Sequence, residues 1–211
     1  CGTHALTVAL AGNVRPGDEI FSPVGLPYDT LQGVIGIREE KGCLKEYGIT
    51  YNGVDLKKDG SFDYDAIREG INEKTRLVTI QRSKGYADRP TLSVERIGEL
   101  IKFIKNIKPD VICMVDNCYG EFVEEKEPIE AGADIAVGSL MKNLGAGIAT
   151  SGAYIVGRKD LVELCAERLT SPGIGKEIGP SLNQNSLLLK GLFFAPSVVR
   201  SSVKTAIFAS K

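Results

Sequence analysis

Strand-like and helix-like segments alternate along the chain, and this predicts an α/β fold: a mostly parallel sheet flanked by helices. Three stretches carry the prediction. Residues 111–116, VICMVD, are almost unbroken in apolar character, as a strand covered on both faces requires. Residues 93–107 place apolar side chains at 94, 97, 100, 101, 104 and 107, a helical spacing, with Ser93 positioned to cap the first turn. Residues 134–139 and 152–157 are two more short strands, followed by a helical pattern over 159–169.

The remaining elements fall into order around these. Residues 3–14 are apolar at helical spacing, with Thr3 read as the cap. RPGDE turns the chain into a short strand, 20–24, and a helix follows over 28–36. A strand over 50–56, a helix over 63–71 and a buried strand over 75–81 complete the amino-terminal half. No internal repeat or low-complexity segment interrupts the pattern.

The totals narrow the functional classes. The chain has 211 residues, enough for one sizeable domain, and a net charge of −1, which supplies no basic field for nucleic acid or anionic membrane. No unbroken apolar run approaches the ~20 residues of a membrane span. Five cysteines, an odd number without a CxxC pair, and a single histidine give poor support to a zinc site, so the metal expectation is none. Reduced thiols and a cytoplasmic setting fit that usage. The chain opens on CGTHALTVAL and closes on KTAIFASK, which reads as a domain, residues 1–211, from a longer protein.

Ligands of open α/β sheets sit beyond the carboxyl ends of the strands, and several polar signals fall there. Asp116 ends the strand VICMV; Ser139 and Lys142 follow DIAVG; Tyr28 lies just past IFSPV. Gly2 and Thr3 open the first helix, where free N–H groups and the helix dipole favour a phosphate. A phosphate cradle, a carboxylate, a lysine and an aromatic ring are what pyridoxal 5'-phosphate (PLP) needs: anchoring amides and hydroxyls, an acid on its ring nitrogen, an amine for its aldehyde and a stacking partner.

The motifs CGTHA, RPGDE, PYDTL, IQRSKGY, VDNCYGEF, GADIAVGSLMKN and PGIGKE resemble, over nearly the whole chain, the large domain of fold-type I (aspartate aminotransferase-like) PLP enzymes. The branch is that of cysteine and methionine metabolism, and within it the bacterial family described as aluminium-resistance or methionine gamma-lyase-related, cystathionine beta-lyase-like, proteins. The resemblance implies that Lys142 forms the Schiff base, that Asp116 holds the ring nitrogen, and that Tyr28 stacks on the ring. It implies further that Ser139, of the S-x-x-K pattern, and the Gly2–Thr3 turn hold the phosphate. Met141 stands where the lyases usually carry a threonine. The implied activity is a carbon–sulfur lyase on a sulfur-containing amino acid; an aminotransferase, or a PLP-binding metal-tolerance or regulatory protein with little turnover, is the alternative. The resemblance also implies a small-molecule amino acid substrate, no nucleic acid or membrane partner, and a homodimer or homotetramer. An amino-terminal arm and a carboxyl-terminal small domain, with the arginine that binds the substrate carboxylate, are expected outside these residues.

Other signals read as structural. Lys176 is followed by Glu177, so PGIGKE lacks the Ser or Thr of a phosphate-binding P-loop. NLGAGIATSG does not match the dinucleotide-binding glycine pattern. His4 reads as structural, Glu121 as a solvent or subunit contact, and Tyr119 as a residue whose place at the site is open. The apolar stretch 191–196, GLFFAP, is expected to cover an interface or the small domain.

Overall fold

The structure, a computed structural model, describes residues 1–179 and 183–211. Its order is α1 (Gly2–Asn13), β1 (Glu19–Ser22), α2 (Asp29–Ile35), β2 (Thr50–Gly53), α3 (Tyr64–Gly70), β3 (Thr75–Gln81), α4 (Val94–Ile107), β4 (Ile112–Asp116), β5 (Ile135–Ser139), β6 (Ala153–Gly157), α5 (Lys159–Leu169) and α6 (Asn185–Ala209). Short 3-10 turns cover Leu44–Tyr47 and Asn143–Gly145. The strands form one six-stranded sheet in the order β2-β1-β3-β4-β5-β6. Every pairing is parallel except β5 with β6, which is antiparallel.

The central strands explain the two-sided core. Along β4, Ile112 and Met114 face one apolar layer, while Cys113 and Val115 face the other, because side chains alternate along a strand. The first layer takes Leu6, Ala9 and Leu10 of α1 with Leu161 and Cys165 of α5. The second takes Ile97, Leu100, Ile101 and Ile104 of α4, the residues whose spacing marked that helix. Each such side chain removed from water contributes roughly 1.5–3 kcal/mol. Ser93 caps α4 as its position implies, accepting from Arg96 N at 3.2 Å.

Two local expectations change. Thr3 is not the cap of α1: the helix begins at Gly2, the cap position is Cys1, and no side chain bonds there. Thr3 lies inside the first turn, and its hydroxyl is instead 2.9 Å from the Tyr28 hydroxyl. The second change is α6, a 25-residue helix that by length and composition is long and apolar enough to cross a membrane. Counting unbroken apolar runs misses it because Lys190, Arg200 and Lys204 interrupt the sequence. It packs on the turn after β5, where a Cβ on Gly191 would lie 2.7 Å from Gly145 O, so both backbones meet only with glycine at the contact. Much of the rest of α6 is exposed, including Leu189, Phe193 and Phe208.

Candidate active site

The carboxyl ends of β3, β4 and β5, together with the start of α2 and the first turn of α1, line a cavity of about 580 Å³. Gly2, Thr3, Tyr28, Asp116, Ser139 and Lys142, which the sequence singles out, all line it. It lies where the strand order steps from β1 to β3 and onward, the crevice in which open α/β sheets receive ligands.

Each wall follows from local structure. Asp116 is the last residue of β4, buried to 5% exposure. It accepts from Cys118 N at 3.1 Å. Burial pushes its carboxyl above the usual range; the hydrogen bonds from Cys118 pull it back, and Lys142 and Arg89 do so through charge rather than contact. Ser139 ends β5, and its Oγ accepts from Met141 N at 3.1 Å, which turns the chain toward Lys142. Lys142 Nζ sits 4.1 Å from the centroid of the Tyr119 ring. Burial lowers the lysine's pKa, but Cys118, Tyr119 and Asp116 outweigh it and hold the amine above the ordinary lysine value.

Tyr28 caps α2 with its backbone while its side chain reaches α1. Burial pushes the phenol up to about 12, against the Thr3 hydrogen bond. The Tyr28 backbone N–H donates to Gln81 Oε1 at 2.9 Å, and Gln81 Nε2 donates to Ser83 O at 3.1 Å. The α1 N-terminus contributes N–H groups without intrahelical partners. The arrangement can therefore hold an anion, place an acid and an amine on one small molecule, and set a ring face beside it.

Several lining residues escape the sequence reading. Gln81 is one; its signal was its place at the end of β3, in register with Asp116 on β4. Cys118 is another, its thiol pushed up to about 12 by burial and Asp116. Tyr119, left open by the sequence, lines the cavity. Arg89, which does not itself line the cavity, braces two residues that do, donating to Gln81 O at 2.9 Å and Ser83 O at 2.6 Å, and also donates to Val24 O at 3.0 Å. His4 is exposed and outside the cavity. Glu121 is a correction: it is 2% exposed and accepts from Tyr154 of the same chain, so it is no solvent contact.

The profile of the methionine gamma-lyase family matches residues 1–211. The uncharacterized protein YnbB of Bacillus subtilis is 51% identical over 212 residues, covering 100% of this chain and 50% of its own length. A solved structure from Listeria monocytogenes, described as a candidate cystathionine beta-lyase involved in aluminum resistance, is 50% identical. It has a TM-score of 0.94 and covers 96% of this chain and 50% of its own. A carbon-sulfur lyase involved in aluminum resistance from Clostridium novyi is 48% identical, with a TM-score of 0.93, and covers 98% of this chain and 50% of its own. The chain thus spans about half the length of these relatives. A more distant likeness, at 19% identity and TM-score 0.69, is to the PLP-dependent protein YhfS of Escherichia coli and bears on the fold alone. The fold is that of the fold-type I large domain.

Proposed function

This chain belongs to the methionine gamma-lyase family, and on that premise we propose that it forms the PLP-binding large domain of a carbon–sulfur lyase acting on a sulfur-containing amino acid. The observation that carries the reading is the convergence of Lys142 and Asp116 on one cavity at the strand ends.

The residues present fit the cofactor. A buried carboxyl that burial has raised gains most from a cationic N–H, which is what a protonated pyridine ring offers Asp116. The α1 N-terminus at Gly2, with the hydroxyls of Thr3 and Ser139, suits a phosphate. When bound, PLP supplies an aldehyde that an amine can hold and a ring that withdraws electrons from the substrate Cα. Lys142 Nζ lines the cavity, and in this reading it would, in its neutral form, take the Cα proton as general base. Asp116 Oδ would keep a proton on the ring nitrogen, and Tyr28 would orient the ring by its face.

The rest of the full-length protein would supply the groups that bind the substrate carboxylate, and the active form would be a homodimer or homotetramer in the cytoplasm. No nucleic acid or membrane partner is part of the proposal. A role in aluminium tolerance, taken from the neighbours' descriptions, is a separate question of phenotype.

The decisive experiment gives the full-length protein PLP with cystathionine, cysteine or methionine. Release of pyruvate or 2-oxobutyrate with a thiol or hydrogen sulfide is expected, and borohydride should fix the cofactor to the Lys142 peptide. Amino exchange that depends on a keto acid would replace the lyase by an aminotransferase. Cofactor bound without turnover would replace it by a binding protein.

A further inference from the structure

A second set of polar side chains, none of which lines the cavity, links β3, β4 and β6. Arg82, 2% exposed, donates to Asn117 Oδ1 at 2.7 Å and to Glu124 Oε1 at 2.5 Å. Asn117 Nδ2 donates to Tyr154 Oη at 3.1 Å, and Tyr154 Oη donates to Glu121 Oε1 at 2.9 Å. Glu121 Oε2 is buried with no partner among the described residues. Burial pushes the Glu121 carboxyl up, its backbone and Tyr154 hydrogen bonds pull it down, and Glu127 and Asp116 push it up again. Such a site favours the neutral acid. β5 makes room for the pair at Gly138, where a Cβ would collide with Glu121 Oε1 and with the Tyr154 ring.

The network ends on the loop 117–122, which carries two non-glycine residues in the left-handed region, Tyr119 at φ 69° and Phe122 at φ 61°. Side chains disfavour that conformation, and it persists where the surroundings impose it. One end of the loop is fixed by Asn117 N donating to Val137 O at 2.8 Å. The other is fixed by Asn143 Nδ2 donating to Glu121 O at 2.9 Å. Asn143 directly follows Lys142, so Glu121 is tied through its side chain to β6 and through its carbonyl to the neighbour of the lysine. Between those ties the loop presents Cys118 and Tyr119 to Lys142.

The geometry points to Glu121 and Tyr154 as positioning residues: their buried hydrogen bond sets the loop that holds the Tyr119 ring against the Lys142 ammonium. The inference rests on Lys142 being the functional lysine of the reading above, and not on which cofactor or substrate it meets.

The test is the Lys142 pKa in the ligand-free full-length protein, read from the pH dependence of its acylation at the Lys142 peptide, with the melting temperature followed in parallel. Tyr154→Phe and Glu121→Ala free the loop and should lower that pKa by about half a unit or more. Glu121→Gln, neutral and still able to accept from Tyr154, should leave it unchanged. A lower melting temperature in Tyr154→Phe with the wild-type Lys142 pKa would make the pair merely structural and overturn the proposal. If Glu121→Ala fails to fold, Tyr154→Phe decides alone, because Phe fills the same space. Absence of lyase turnover would leave this measurement intact, so the two readings fail separately.

Discussion

At and just past the ends of β4 and β5 polar side chains are buried and hydrogen-bonded: Asp116 is 5% exposed, Ser139 3% and Glu121 2%. Along α6, apolar side chains stand in solvent: Phe193 is 79% exposed and Phe208 84%. The two regions touch at the 143–145 turn, where Gly191 of α6 meets Gly145. In the first region these 211 residues satisfy most of the polar groups they bury. In the second, apolar side chains stay exposed, and nothing among the described residues covers them. About half the length of a relative thus encloses a polar-lined cavity while the helix beside it keeps apolar side chains in solvent.

The largest effect that would break the comparison is at Lys142. Lys142→Ala should remove borohydride-fixed cofactor and cut turnover of the full-length protein by about a thousandfold or more; a retained adduct on another lysine would move the site elsewhere. Asp116→Asn should bind cofactor yet slow exchange of the substrate Cα hydrogen by roughly a hundredfold. Exchange at the wild-type rate would remove Asp116 from the ring nitrogen.

Between the two regions, Gly191→Val should cost about 1–3 kcal/mol of unfolding free energy by overpacking the α6 contact, measured by denaturant titration. A neutral result would mean that α6 is not seated on the turn after Lys142.

A smaller effect concerns pH. Glu121 has a raised carboxyl, so the folded state keeps a proton that the unfolded chain has lost. Its contribution is therefore present below the ordinary glutamate pKa of about 4.3 and declines as pH rises toward the folded value. Glu121→Gln should flatten that decline in a pH series of unfolding curves; an unchanged slope would show that Glu121 does not titrate there.

The smallest effect is expected at Phe208. Phe208→Ser should change stability by no more than about 0.5 kcal/mol while that face stays in solvent. A loss above about 1 kcal/mol in the full-length protein, or a melting temperature that depends on its concentration, would show α6 covered by the remaining chain or by a second copy.

Much of this is legible in the sequence because it is local. The spacing in 93–107 sets the buried face of α4, and the apolar run before Asp116 sets β4. Alternating strands and helices alone put Asp116, Ser139 and Lys142 at the same edge of the sheet, since parallel strands end together. Tertiary structure decided what joins residues far apart in the chain. Tyr28 meets Gln81 across 53 positions, and Glu121 meets Tyr154 across 33. No periodicity encodes such pairs, and so Glu121 reads as a surface acid until β5 and β6 close over it. Thr3 looks like a cap until α2 brings Tyr28 to its hydroxyl. Local pattern specifies which face of each element is apolar; only the packed sheet fixes which polar groups are taken from water together, and that is what turns a lysine after a strand into a lysine held against Tyr119.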